Sequence, residues 1–133
     1  MMALDTNVLV RFLARDDDRQ SALVYQLFKQ SEKQQDVLFV PLLVVLETIW
    51  VLQSAYDVPD EEIVSAINHL LLMPVLKFEG HKAIQGFIAS YREAKLDLAD
   101  LLIAYSAKSS GCKRVFTFDK KAAGFKCFQL LTG

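Results

Sequence analysis

The stretch Met2-Ala3-Leu4-Asp5-Thr6-Asn7-Val8-Leu9-Val10 decides how the rest of the chain is read. Residues 2–4 are a short apolar run that suits a buried strand. From Thr6 the pattern switches to helical spacing, with Leu9, Phe12 and Leu13 on one face. Asp5 stands between the two elements, at the carboxyl end of the strand. In an open parallel sheet that edge is where ligands bind.

The alternation continues downstream. Asp16, Asp17 and Asp18 begin a second helix, where carboxylates suit the positive end of the dipole, and Leu23, Leu27 and Phe28 carry its buried stripe. Residues 37–40 read as a strand, and residues 42–53 are apolar nearly all round, the pattern of a helix enclosed by its neighbours. Beyond the turn at Val58-Pro59-Asp60, a helix carries Ile63, Ala66, Ile67, Leu70 and Leu71 on one stripe, and Pro74 stops it. Residues 75–78 form a strand, and Gly80 precedes a helix with Ile84, Phe87, Ile88 and Tyr91 inward. Asp97 caps a helix over residues 98–109 that Gly111 closes, and strands follow at 115–118 and 127–131. Strands alternating with helices imply an α/β fold whose parallel sheet is covered on both faces.

Composition narrows the class. A chain of 133 residues is one domain by length. Fifteen basic against 16 acidic side chains, net charge -1, exclude a protein that coats nucleic acid by bulk charge. Any such binding must come from a local patch. The longest apolar run, residues 37–46, contains Pro41 and is too short to span a membrane. An apolar share of 53% without a span implies that part of the surface is covered by another chain. Cys112 and Cys127 make neither a disulfide framework nor a zinc signature and are expected as buried free thiols. Asp5 interrupts the first apolar stretch too early for a secretory signal, so a cytoplasmic location is expected.

Three windows are apolar apart from one or two acids: residues 1–10 with Asp5, residues 37–53 with Glu47, and residues 96–107 with Asp97 and Asp100. No Lys or Arg occupies them, so no local ion pair compensates these charges. Asp119 follows the strand at 115–118 as Asp5 follows the first. A cluster of Asp5, Glu47, Asp100 and Asp119 would repel itself without a cation, and hard oxygen ligands suit Mg²⁺ or Mn²⁺. Each acid also has a plainer reading. Asp5 and Asp97 fit helix N-caps, Asp100 fits the third helical position, Glu47 fits a solvent-facing gap and Asp119 fits a turn. His69 and His81 lack metal-ligand spacing, and the chain has neither a glycine-rich phosphate loop nor a nucleophile elbow.

Four ordered segments carry a resemblance: residues 4–10 around Asp5, residues 43–52 around Glu47, residues 97–104 around Asp97 and Asp100, and residues 117–121 around Asp119. Together they resemble the PIN-domain ribonucleases, in particular the VapC-type toxins of toxin–antitoxin modules, over essentially the whole chain. The resemblance implies a single PIN domain over residues 1–133, a three-layer α/β/α fold with a central parallel β-sheet of four to five strands. It implies a Mg²⁺- or Mn²⁺-dependent endoribonuclease in which Asp5, Glu47, Asp100 and Asp119 are catalytic. Asp5 and Asp100 would be the direct metal ligands, and products would carry a 5′-phosphate and a 3′-hydroxyl. Thr6 and Asn7 stand beside the first ligand and Asp97 beside the third, where they would support the carboxylates. A homodimer and a cognate antitoxin protein are implied as partners.

RNA needs a positive contact surface. Arg11 and Arg15 follow Asp5, and Lys120 and Lys121 follow Asp119, within a basic segment over residues 108–126. Two other classes remain. A receiver-like Mg²⁺-binding signalling domain expects adjacent acids after the first strand, where this chain has Thr6 and Asn7. A catalytically idle PIN-like binding module would not need its acids intact.

Overall fold

In the computed structural model, which describes residues 1–133, Leu38 pairs with Met2 on one side and with Leu76 on the other. Those pairings define a three-stranded parallel sheet of β1 (Met2–Ala3), β2 (Leu38–Val40) and β3 (Leu76–Phe78), with β2 central. Parallel neighbours need crossovers, and helices supply them. Between β1 and β2 run α1 (Thr6–Ala14) and α2 (Asp18–Lys33); between β2 and β3 run α3 (Leu42–Ser54) and α4 (Asp60–Leu71). These elements form the first of two compact units, Met1–Glu79, and the second is Gly80–Gly133.

The first unit is held by a continuous apolar core. Leu9 and Val10 of α1, Val40 of β2, Ile49 of α3, and Ile63 and Ile67 of α4 are all buried. Phe12 and Phe28 pack ring to ring at 4.8 Å between centroids, which ties α1 to α2. Three details depart from the sequence reading. Met2 and Ala3 are exposed rather than buried, because β1 is the edge strand of this sheet and only Leu4 turns inward. In α2 the buried face runs through Val24, Phe28 and Ser31 instead of Leu23 and Leu27, a rotation of about one residue, or roughly 100°. Finally, α3 is not enclosed. Val45, Thr48, Ile49 and Leu52 face the core, while Leu43 and Trp50 are 77% and 64% exposed.

In the second unit, α5 (His81–Ala94) packs against α6 (Leu98–Ser109). They pack tightly at Gly86, where a Cβ would stand 2.4 Å from the Tyr105 ring. Gly111, at φ +90°, turns the chain out of α6 as the sequence led one to expect. Next come β4 (Val115–Thr117), the single turn α7 (Lys120–Ala123) and β5 (Phe128–Leu130), with β4 and β5 parallel. All five expected strands are therefore present, hydrogen-bonded as a set of three and a set of two. Cys127 is buried as expected, but Cys112 is exposed, because it lies in the loop between α6 and β4. No helix is long and apolar enough to cross a membrane.

Candidate functional site

Each unit holds one set of the acids singled out in the sequence. In Met1–Glu79, Asp5 is extended at the end of β1 and caps α1, its carboxylate accepting from the Thr6 amide at 2.8 Å. That bond fixes one carboxylate oxygen at a strand end and leaves the exposed group otherwise open. Thr6 is itself buried, and its hydroxyl donates to the Glu47 carboxylate across from α3. The tertiary structure thus joins the acid of the first window to that of the second through one residue, Thr6, whose amide donates to Asp5 and whose hydroxyl donates to Glu47. Asn7 is exposed on the first turn of α1.

In Gly80–Gly133, Asp100 lies in the first turn of α6 and is half-buried. Burial pushes its carboxyl above the ordinary aspartate value, and the negative charges of Asp97 and then Asp119 push it further. Asp97 occupies the N-cap position, but its side chain makes no capping hydrogen bond. The expected capping role is therefore carried by its backbone carbonyl alone, which accepts from Leu101 N–H at 3.0 Å. Its free carboxylate instead adds to the field on Asp100. Asp119 takes a place like that of Asp5, beyond β4 and capping α7, but accepts from amides two and three residues on, Lys121 N–H at 2.9 Å and Ala122 N–H at 3.4 Å.

The donor chemistry of both sets fits a hard divalent cation. The groups are carboxylate and hydroxyl oxygens, and Asp100 is held among like charges that a cation would offset. Within either unit, no three His, Cys, Asp or Glu side chains are gathered closely enough to cage an ion by themselves. The carboxylates that could hold such an ion are Asp5 and Glu47 in the first unit, and Asp97, Asp100 and Asp119 in the second.

The basic residues divide into engaged and open groups. Arg11 is occupied: its Nε donates to Gln20 at 2.6 Å, and its Nη1 to Tyr56 at 3.0 Å and to Asp16 at 3.3 Å. Arg15 caps the carboxyl end of α1 at φ 53° and is exposed, as are Lys120 and Lys121. Two features escaped the sequence reading. Glu79 follows β3 and accepts from Leu42 N–H at 2.8 Å, capping α3, whose own N-cap, Pro41, offers no side-chain acceptor. The signal was its place, since it directly follows a strand just as Asp119 follows the apolar run before it. The second is the exposure of Phe116 and Phe118.

Comparison with known proteins adds two findings. The chain is 29% identical over 128 residues to a VapC ribonuclease of Aquifex aeolicus (strain VF5), covering 95% of this chain and 94% of that protein. The family model for the PIN domain matches residues 2–126, a span that includes β1, both sets of acids and α7. That match sets aside the receiver-like reading: this chain belongs to the PIN domain family.

Proposed function

We propose that this protein is a Mg²⁺- or Mn²⁺-dependent endoribonuclease, acting as the toxin of a toxin–antitoxin pair. The observation that carries the reading is the shared placement of Asp5 and Asp119. Each follows a parallel strand and is fixed by an amide of the helix it caps, so a carboxylate oxygen is held ready without side-chain reorganisation. The similarity to a protein named as a VapC ribonuclease supports it over nearly the full length of both chains. In this reading residues 1–133 serve as a single functional domain.

Asp5 and Asp100 would hold the ion, and Glu47 and Asp119 would complete its surroundings. A bound ion of this kind supplies polarisation of water and charge neutralisation at the scissile phosphate. Thr6 holds Glu47 in one rotamer, so the carboxylate can orient the attacking water. Asp97 keeps Asp100 under a negative field, which strengthens its demand for a cation. Arg15, Lys120 and Lys121 would contact phosphates flanking the cut, and Arg11 would brace the loop that carries Arg15. The exposed Leu43 and Trp50 of α3 are apolar surface suited to a second copy or to an antitoxin segment. A homodimer silenced by an antitoxin in the cytoplasm is the physiological setting that goes with this reading.

The test is cleavage of end-labelled tRNA and rRNA fragments by wild type and by Asp100→Asn, with Mg²⁺ or Mn²⁺ and with EDTA. Metal-dependent cleavage by the wild type alone is expected, leaving a 5′-phosphate on the downstream fragment. Equal cleavage by both proteins, or none by either, removes the reading and leaves a PIN-domain binding module.

A further inference from the structure

Phe116 and Phe118 are 66% and 79% exposed, although they lie on and just after a strand of a parallel sheet. Parallel sheets are ordinarily covered on both faces, so rings of this size in solvent are unusual. Phe116 is in the middle of β4 and Phe118 stands two residues on, just past the strand's end, while Val115 and Thr117 on either side of Phe116 are half-buried. On β5, Gln129 pairs opposite Phe116 in the parallel register and is exposed too. The β4–β5 pair therefore presents the Phe116 ring and the Gln129 amide to solvent side by side, and the Phe118 ring is exposed just beyond the strand's end.

The charge around that face is one-sided. Lys113 and Arg114 precede β4 and Lys120 and Lys121 follow it; all four are exposed, and none has a carboxylate within ion-pairing distance. The segment runs basic pair, ring, ring, acid, basic pair, with Asp119 directly after Phe118. Two residues along a strand rise about 6.6 Å, a span suited to successive bases of an extended single strand. A second copy of this chain is a poor occupant, because a two-fold contact across the face would bring these basic pairs against one another. A polyanion with planar, stackable groups matches both the charge and the rings.

We propose that the open face of β4 and β5 is a stacking platform for single-stranded RNA, with Phe116 and Phe118 each receiving a base and the flanking basic pairs contacting the phosphates. This rests on the ribonuclease reading and adds how substrate is held: unpaired bases lie on the rings that lead up to Asp119. It makes the protein selective for single-stranded over duplex RNA, whose bases are stacked on each other and closed to the rings. Gln129 is placed to hydrogen-bond a base edge, the one polar group on the face able to discriminate among bases.

The experiment is fluorescence anisotropy of a labelled short single-stranded oligoribonucleotide against metal-free protein in EDTA, so that binding is read without cleavage. Phe116→Ala and Phe118→Ala should each weaken binding by about tenfold or more. Phe→Tyr at either position should restore it. The slope of log affinity against log salt should stay as in the wild type, because the phosphate contacts are untouched. A duplex of the same sequence should bind more weakly to the wild type. Unchanged affinity in both alanine variants overturns the proposal, as does equal binding of duplex and single strand. It is also overturned if sedimentation shows the alanine variants losing a dimer while RNA affinity holds. A parallel Mg²⁺ cleavage assay separates the two readings. Cleavage that is indifferent to the rings sinks the platform alone, whereas a wild type that neither binds nor cleaves RNA sinks both.

Discussion

Thr6 and Glu47, 41 residues apart, are joined by a hydrogen bond from the threonine hydroxyl to the carboxylate. Thr6 is buried while Glu47 is exposed, so the bond ties a surface acid to a buried residue on the first turn of α1. Thr6→Val keeps the shape and deletes the donor. RNA cleavage is expected to fall roughly 10- to 100-fold, with Thr6→Ser retaining most of the activity. Equal cleavage by the valine variant and the wild type would show that the position of Glu47 does not matter.

Asp100 sets stability against function. Its folded-state pKa is raised by burial and by Asp97 and Asp119, so the ionised form is disfavoured in the folded protein. For an acid shifted this way, folding stability falls as pH rises from the unfolded value through the raised folded one. In EDTA at neutral pH, Asp100→Asn should therefore melt higher than the wild type, and the gap should close in acid. The same variant should lose at least about 100-fold in cleavage and most of the stabilisation that the wild type gains on Mn²⁺ titration. Thermal melts over pH with and without metal check all three expectations.

Tyr56 and Asp16 give the opposite pH dependence. The Tyr56 hydroxyl donates to Asp16 at 2.7 Å, and this bond, foremost, holds the Asp16 carboxyl below its ordinary value, with Arg11 adding its charge. The stabilisation is present above the unfolded pKa of about 3.9 and is lost as pH falls through the lowered folded value. Tyr56→Phe should lower Tm near neutral pH, with the difference shrinking in strong acid. A constant difference across pH would mean that the ring's packing, rather than its hydroxyl, is what counts.

Gly86 is fixed by its neighbour. An added Cβ would meet the Tyr105 ring at 2.4 and 2.8 Å, and that ring is buried with its hydroxyl engaged by Ser90. Tyr105 cannot yield cheaply, so Gly86→Ala should cost about 1–3 kcal/mol despite the higher helix propensity of alanine. Urea unfolding measures this. A neutral or stabilising effect would mean that α5 and α6 can slide apart at this point.

Local chemistry made much of this legible in the sequence. Five strands and the helices α1 to α6 followed from periodicity and from Pro and Gly punctuation, because each depends on neighbours within a few residues, whereas the single turn α7 was read as a plain turn after Asp119. The four acids stood out because each interrupts an apolar window or ends a strand, a property a linear reading can detect. Burial details did not follow. One residue of helical phase separates Val24 from Leu23, and periodicity cannot fix that phase when apolar residues stand on both sides. The exposed face of α3 was invisible for the same reason, since an apolar surface helix and an enclosed one share a composition.

By itself the sequence determined the order of strands and helices, the parallel class, and which carboxylates lack a local counter-charge, since all of these are set by side-chain type and short-range spacing. Only the tertiary structure decided that Thr6 secures Glu47, that Glu79 caps α3, that Arg11 is tied to Asp16 and Tyr56, and that Phe116 and Phe118 face solvent. Those relationships join residues far apart in the chain or depend on what packs over a surface. A hydrogen bond or a buried face exists only once the folded backbone has brought both partners within reach.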